Sequence, residues 1–252
     1  MHNIPVLTPS QIKSFKTDGF LSIKGAFSSE NIGALTKWTD ELLAMPEETG
    51  KQWVYHEKSL KEDDVKLISR IENITPFHNG FRQLTETLRQ PVGQLFGEEA
   101  VLFKEKINFK MPGGDGFKPH QDSQAGWDIY ADFFVSVLVS IDAATTENGC
   151  LQICRGDYKR SLFKLWEPLS NQDLSNMKFF DVPTEPGDLM FFDSFTPHQS
   201  APNKSDGIRR VYYATYNLKS AGNHQAKYYA DKYESYPPDI DRIEGEKYIF
   251  RV

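Results

Sequence analysis

The chain has 252 residues, 29 Lys and Arg against 35 Asp and Glu, a formal net charge of −6 and 13% aromatic residues. Net acidity argues against a sequence-independent nucleic-acid binder, which needs a basic surface to release counterions from phosphates. The first thirty residues hold no Lys/Arg-led apolar stretch with a small-residue cleavage site, and no window approaches roughly 18 uninterrupted apolar residues, so a cytoplasmic protein without a membrane span is expected.

Neither an internal repeat nor a Pro/Gly linker divides the chain, which predicts one domain over residues 1–252. Helical support is expected over about 8–97, a β-core over about 100–218 and a tail over 219–252. Thr8-Pro9-Ser10-Gln11 predicts a helix with a capping Thr, Pro at its first position and a stop near Asp18-Gly19. Ser28 or Ser29 opens a second helix through Leu35, Trp38, Leu42 and Leu43, ending before Pro46, and a third spans Asn79 to Arg89. From about residue 100 the period falls to two. Strands are expected at Val101–Lys110, Phe133–Ile141, Gly149–Cys154, Asp188–Asp193 and Arg210–Asn217, separated by turn clusters such as Pro112-Gly113-Gly114-Asp115-Gly116. Helices followed by runs of strands predict an α+β fold: a sandwich or jelly-roll core with helices packed on one side. Cys150 and Cys154 are too far apart along one strand for a disulfide and are expected to be buried thiols.

His120-Gln121-Asp122 is the most informative tripeptide. On extended backbone, residues i and i+2 share a face, so the imidazole and the carboxylate converge. His198 follows 76 residues after Asp122, in a Thr196-Pro197-His198 turn just past a predicted strand. Two histidines and one carboxylate on one side of a metal, with the other side open, describe a non-haem Fe(II) oxygenase centre. Arg209, eleven residues later, adds the planar bidentate donor required by a co-substrate with a free distal carboxylate. Arg210 competes for that role, since period-two alternation sends the two side chains to opposite faces.

These residues resemble the phytanoyl-CoA dioxygenase-like enzymes, which depend on Fe(II) and 2-oxoglutarate. Beside His120-Gln121-Asp122 the resemblance rests on Glu147-Asn148-Gly149-Cys150-Leu151, Pro186-Gly187-Asp188 with Phe191-Phe192, and His198 followed by Gly207-Ile208-Arg209. It implies a double-stranded β-helix with iron on His120, Asp122 and His198, and the 5-carboxylate of 2-oxoglutarate on Arg209. It also implies oxidative decarboxylation, in which O₂ is consumed, succinate and CO₂ leave and a C–H bond is hydroxylated, with ascorbate as a supporting reductant. Because the carboxylate Asp122 is present, hydroxylation is expected over halogenation. Each ligand imidazole should have a partner fixing it, for which Asp193 and Gln199 lie nearby in sequence.

The substrate is read from the first core strand, where Lys104, Lys106, Asn108 and Lys110 share one face. Pointing inward, that face offers cations and an amide to an anionic ligand; pointing outward, it is a solvated surface. Arg70 is a second candidate contact to 2-oxoglutarate or substrate, and Gln121 and Trp127 complete the candidate substrate site. Lys118–Trp127 and the tail Tyr228–Ile240 resemble a bacterial branch of the family that hydroxylates the carbon next to phosphorus in 2-aminoethylphosphonate or its N-methylated relatives. A small organophosphonate is therefore the expected partner, with Trp127, Tyr130, Asp128 and Asp132 as candidates for an ammonium group. Hydroxylation of an amino acid or secondary metabolite is the alternative chemistry. A non-enzymatic metal- or sugar-binding jelly roll is the alternative of another class.

Overall fold

Local capping chemistry sets the ends of the N-terminal helices. In the computed structural model, which describes Ile4 and residues 6–155 and 161–249, α1 (Pro9–Asp18) opens on a reciprocal cap. The Gln11 amide donates to the Thr8 hydroxyl while the Thr8 N–H donates to the Gln11 side chain. Gly19, at φ 81°, closes α1 in the left-handed region and leads into β1 (Phe20–Ile23). Ser28 caps α2 (Ser29–Ala44), as expected.

The remainder of this region departs from the helical expectation in two ways. First, it contains a hairpin, β2 (Trp53–Lys58) and β3 (Lys66–Glu72), which with β1 belongs to the main sheet. Second, α3 (Asn79–Phe96) continues well past Arg89 and through Pro91. Proline withdraws one helical donor, but Leu88, Val92 and Leu95 prolong a single buried stripe across it, and their burial keeps the helix running. Gly97, at φ 80°, ends it by donating to the Gly93 carbonyl.

The core strands follow: β4 (Ala100–Lys110), β5 (Phe117–His120), β6 (Phe134–Ser140), β7 (Leu151–Arg155), β8 (Lys178–Val182), β9 (Leu189–Asp193), β10 (His198–Ser200) and β11 (Arg209–Leu218). The tail forms a further helix, α4 (Gln225–Ser235). Seven strands in the order β1-β9-β6-β11-β4-β3-β2 make the larger sheet, and β5-β10-β7-β8 make the smaller. All pairings are antiparallel. The two sheets form a double-stranded β-helix, the expected architecture.

Strand alternation divides the large sheet into a dry face and a functional one. Val135, Val137 and Val139 of β6, Ile107 and Phe109 of β4, and Tyr212, Ala214 and Tyr216 of β11 pack with Leu35, Phe81, Leu84 and Leu88 of the helices. The opposite face meets the small sheet, where Leu138, Met190, Phe192 and Val211 pack on Leu151 and Ile153. Since Ile107 and Phe109 are claimed by the helical layer, Lys104, Lys106 and Asn108 must point between the sheets, and the open question of their direction is answered inward. Cys150 and Cys154 are buried free thiols. No described helix is long and apolar enough to cross a membrane.

Candidate active site

His120 ends β5 and His198 begins β10, and the two residues face each other in the pairing of those strands. Asp122 opens the short helical turn that follows β5. One ligand atom from each of the three lies within 4.8 Å of the others, with His198 Nε2 3.9 Å from Asp122 Oδ1. The imidazole Nδ1 atoms face carbonyls, which only accept: His120 donates to Lys118 O at 2.7 Å and His198 to Thr196 O at 3.0 Å. Both Nε2 lone pairs are thereby left for a metal. Asp122 Oδ2 accepts from Ser136 Oγ at 2.8 Å, and Ser136 in turn shares a hydrogen bond with Thr215 at 2.9 Å, so Oδ1 remains toward the centre. This donor set fits a divalent first-row metal.

Electrostatics agree with that reading. Burial pushes the His120 imidazole down to about 3, with His198 adding to the effect, so it is neutral and ready to ligate. Burial works to raise the Asp122 carboxyl, but the electrostatic pull of its neighbours, His198 first and then the Lys104 ammonium, outweighs it and holds the group below its ordinary value.

Two chambers meet at the triad. The inner one is lined by Asn108, Leu151, Phe192, Arg209, Tyr213 and Thr215 among others. Arg209 is 3% exposed, is hydrogen-bonded to Tyr213, and has no ion-pair partner among the described residues. Its Nε and the Asn108 Oδ1 are buried polar atoms without a partner there. A buried guanidinium without a carboxylate is costly, and a ligand carboxylate at this end of the chamber supplies the missing charge. Arg210 points elsewhere, locked onto Asp142 at 2.8 and 2.9 Å and onto Asp40 at 2.7 Å.

The outer chamber, about 1160 Å³ and open to solvent, is walled by Arg70, Glu72, Trp127, Tyr228, Lys232 and Tyr236. Lys104 and Lys106 stand at the junction and line both spaces. Neither has a carboxylate partner among the described residues. Burial, reinforced by Lys104, lowers the Lys106 ammonium to about 7, and burial likewise lowers Lys104. Lys104 lies 4.5 Å from the Trp127 ring centroid.

Three sequence-proposed contacts are engaged by the chain's own groups. Lys110 shares the inward face, but at the strand's end its ammonium spans to the opposite sheet and donates to Ser200 Oγ at 2.7 Å and Ala201 O at 2.6 Å. Those bonds hold it outside both chambers. Gln121 turns away from its neighbours His120 and Asp122, donating to Ser161 O and Phe195 O and accepting from Phe163 N, so it staples loops. Arg70 is paired with Glu72 at 2.9 Å and faces the outer chamber, not the Arg209 end. Asp193 and Gln199 are not the imidazole partners. Asp193 accepts from Phe195 N and Thr196 Oγ1, which shapes the turn presenting the Thr196 carbonyl, and Gln199 bonds to Gln152. Sequence reasoning missed Ser136, Tyr213, Thr215 and Lys232. Ser136 alone left a trace, as a hydroxyl within the apolar run Phe133–Val139.

The model of the phytanoyl-CoA dioxygenase family matches residues 15–211 of this sequence. The chain belongs to the phytanoyl-CoA dioxygenase family. Within the family it is 37% identical to a 2-aminoethylphosphonate dioxygenase from uncultured bacterium HF130_AEPn_1, over 96% of this chain and 93% of the relative. It is 35% identical to a methylphosphonate hydroxylase from Gimesia maris, over 96% and 92%. The crystal structure of EctD from S. alaskensis with 2-oxoglutarate and 5-hydroxyectoine shares the fold, with a TM-score of 0.73 at 21% identity over 88% of this chain and 79% of that one.

Proposed function

We propose that this family member is an Fe(II)- and 2-oxoglutarate-dependent dioxygenase that hydroxylates the carbon bonded to phosphorus in a small organophosphonate. The observation that carries the reading is the triad's position between a chamber ending in a buried arginine and a junction bearing two lysines, none of the three with an ion-pair partner among the described residues. Iron(II), 2-oxoglutarate and O₂ supply the oxidising chemistry, coupling decarboxylation of the co-substrate to insertion of one oxygen atom into a C–H bond, with release of succinate and CO₂.

The chain's own residues do the positioning. His120, Asp122 and His198 hold the metal, while Lys118 O, Thr196 O and Ser136 Oγ orient them. Arg209 takes the distal carboxylate of 2-oxoglutarate at a buried position. Lys106 and Lys104 receive the phosphonate oxygens, which brings the adjoining carbon toward the triad. The free buried thiols suit a reducing cytoplasm, which is part of the proposal.

The test is succinate formation from 2-oxoglutarate with Fe(II), ascorbate and air, with phosphonates and amino acids added singly. Strong stimulation by a phosphonate, with product one oxygen heavier, is the expected result. Stimulation by amino acids alone would replace the phosphonate with a carboxylate substrate. Absence of turnover with every compound would favour a binding protein.

A further inference from the structure

The relatives act, by name, on an aminoethyl and on a methyl phosphonate, and their identities to this chain differ too little to choose between those tails. The outer chamber bears on that choice. An ammonium tail needs a carboxylate or an open aromatic face. Glu72, 2% exposed, has one oxygen on Arg70 at 2.9 Å and the other on Lys232, which reaches in from α4. Burial works to raise its carboxyl, but Lys232 and Arg70 outweigh that and hold it below the usual carboxylate range, so it stays ionised between them. Asp231 is taken by Lys227 and the Tyr130 hydroxyl.

The rings of the wall are occupied as well. Lys104 stands 4.5 Å from Trp127 and 5.6 Å from Tyr228, and Lys232 stands 5.3 Å from Tyr55 and 5.8 Å from Tyr228. Arg242 covers Tyr236 at 4.2 Å, and Lys106 lies 5.7 Å from Phe117. Glu234 and Trp166 lie exposed at the rim. A cationic tail on a phosphonate seated at Lys106 therefore meets the largely buried side chains of Lys104, Arg70 and Lys232, which carry like charge.

We propose that Lys232 is the tail-specificity residue of this enzyme: it fills the seat formed by Glu72, Tyr55 and Tyr228 with the chain's own ammonium and so selects phosphonates with short uncharged tails over those ending in ammonium. The proposal rests on the phosphonate reading above. A substrate ammonium entering that seat has to expel Lys232, an exchange of one ion pair for another that yields no net pairing. Lys232→Gln removes the occupant and turns one oxygen of Glu72 toward the chamber. Lys232→Arg keeps the positive charge and should keep the selectivity.

The experiment measures kcat/KM for ethylphosphonate and 2-aminoethylphosphonate with the wild type and both variants, following succinate and the hydroxylated product. The wild type should favour ethylphosphonate by about tenfold or more, and Lys232→Gln should move the ratio toward the amino compound by about tenfold. Lys232→Arg should hold the parental ratio. A wild-type preference for 2-aminoethylphosphonate, or an unmoved ratio in folded Lys232→Gln, overturns the proposal and leaves the phosphonate reading standing. Failure of every phosphonate, methylphosphonate included, to stimulate any of the proteins removes the phosphonate reading itself. Should Lys232→Gln not fold, Lys232→Met carries the same comparison and the wild-type ratio decides.

Discussion

The two chambers are built by different means. The inner one is walled by core strands, so the pleat aims its side chains: Asn108 from β4 and Arg209, Tyr213 and Thr215 from β11 converge through alternation alone. The outer one is assembled from β3, the turn carrying Trp127 and helix α4, and its groups are held by ion pairs and cation–ring contacts instead. A buried arginine without an ion-pair partner among the described residues marks the first, and a carboxylate saturated by two cations marks the second. A site that must hold the same co-substrate in every turnover gains from rigid strands. A site that sets substrate choice is better served by peripheral pieces that change without disturbing the barrel.

The largest effect is expected where the chambers join. His120→Ala or His198→Ala should reduce iron-dependent succinate formation to background while the far-UV circular dichroism stays unchanged, because both imidazoles face the chambers and not the helical core. Parental rates in either variant would dissolve the shared centre. The next test separates the chambers. Arg209→Ala should raise the apparent KM for 2-oxoglutarate by roughly a hundredfold, the scale of deleting one partner of a buried charge pair, and leave the phosphonate KM near its parental value. Arg210→Ala should instead leave both KM values alone and lower the melting temperature through its lost contacts to Asp142 and Asp40. If the two arginines exchanged these phenotypes, the inner wall would be assigned to the wrong face of β11.

That difference in construction also governs what could be read without coordinates. The metal ligands and Arg209 of the inner chamber were legible because they are ordered by local rules: a two-residue spacing brings His120 and Asp122 together, and alternation places Arg209 and Arg210 on opposite faces. The outer chamber depends on pairings between distant segments. Arg70 and Glu72 acquire their place only because β3 pairs with β4, Arg70 against Asn108 and Glu72 against Lys106, and nothing local to Lys66–Glu72 announces that partner. Lys232 reads as a solvated helix charge until α4 is seen to lie over the barrel. Lys110 fails differently: alternation gives its direction correctly, but not the length of the side chain's reach to Ser200 and Ala201 across the sheets. Pro91 misleads because the proline rule is local, whereas the burial of Val92 and Leu95 is not.

A smaller effect is expected from the inner support of the metal carboxylate. Ser136→Ala removes the hydrogen bond to Asp122 Oδ2 and should weaken iron binding by about tenfold, the lower range for partners one step from a metal, with 2-oxoglutarate binding at saturating iron preserved. Iron titration followed by activity and by calorimetry checks it. Unaltered affinity would mean that Thr215 and the barrel wall hold Asp122 without the serine.

The smallest effect concerns Lys106, which belongs to both chambers. Burial and the neighbouring Lys104 lower its ammonium to about 7 from an ordinary value of 10.5. The protonated form, which attracts a phosphonate, therefore prevails below about pH 7 and is lost as the pH rises through it. In the free enzyme the phosphonate KM should climb above pH 7, by at most about tenfold per pH unit for one titrating group, while the KM for 2-oxoglutarate changes little. Lys106→Met should raise the phosphonate KM at pH 6 and remove that rise. The same shift acts on stability with a defined sign: a base whose folded pKa is depressed costs stability while it is protonated, and the cost diminishes between about pH 7 and 10.5. Thermal unfolding of the wild type should therefore gain on the Lys106→Met variant as the pH rises across that window. A parallel course of the two melting curves, with a flat phosphonate KM in the wild type, would take Lys106 out of the substrate's seat and leave Lys104 to hold the anion at the junction.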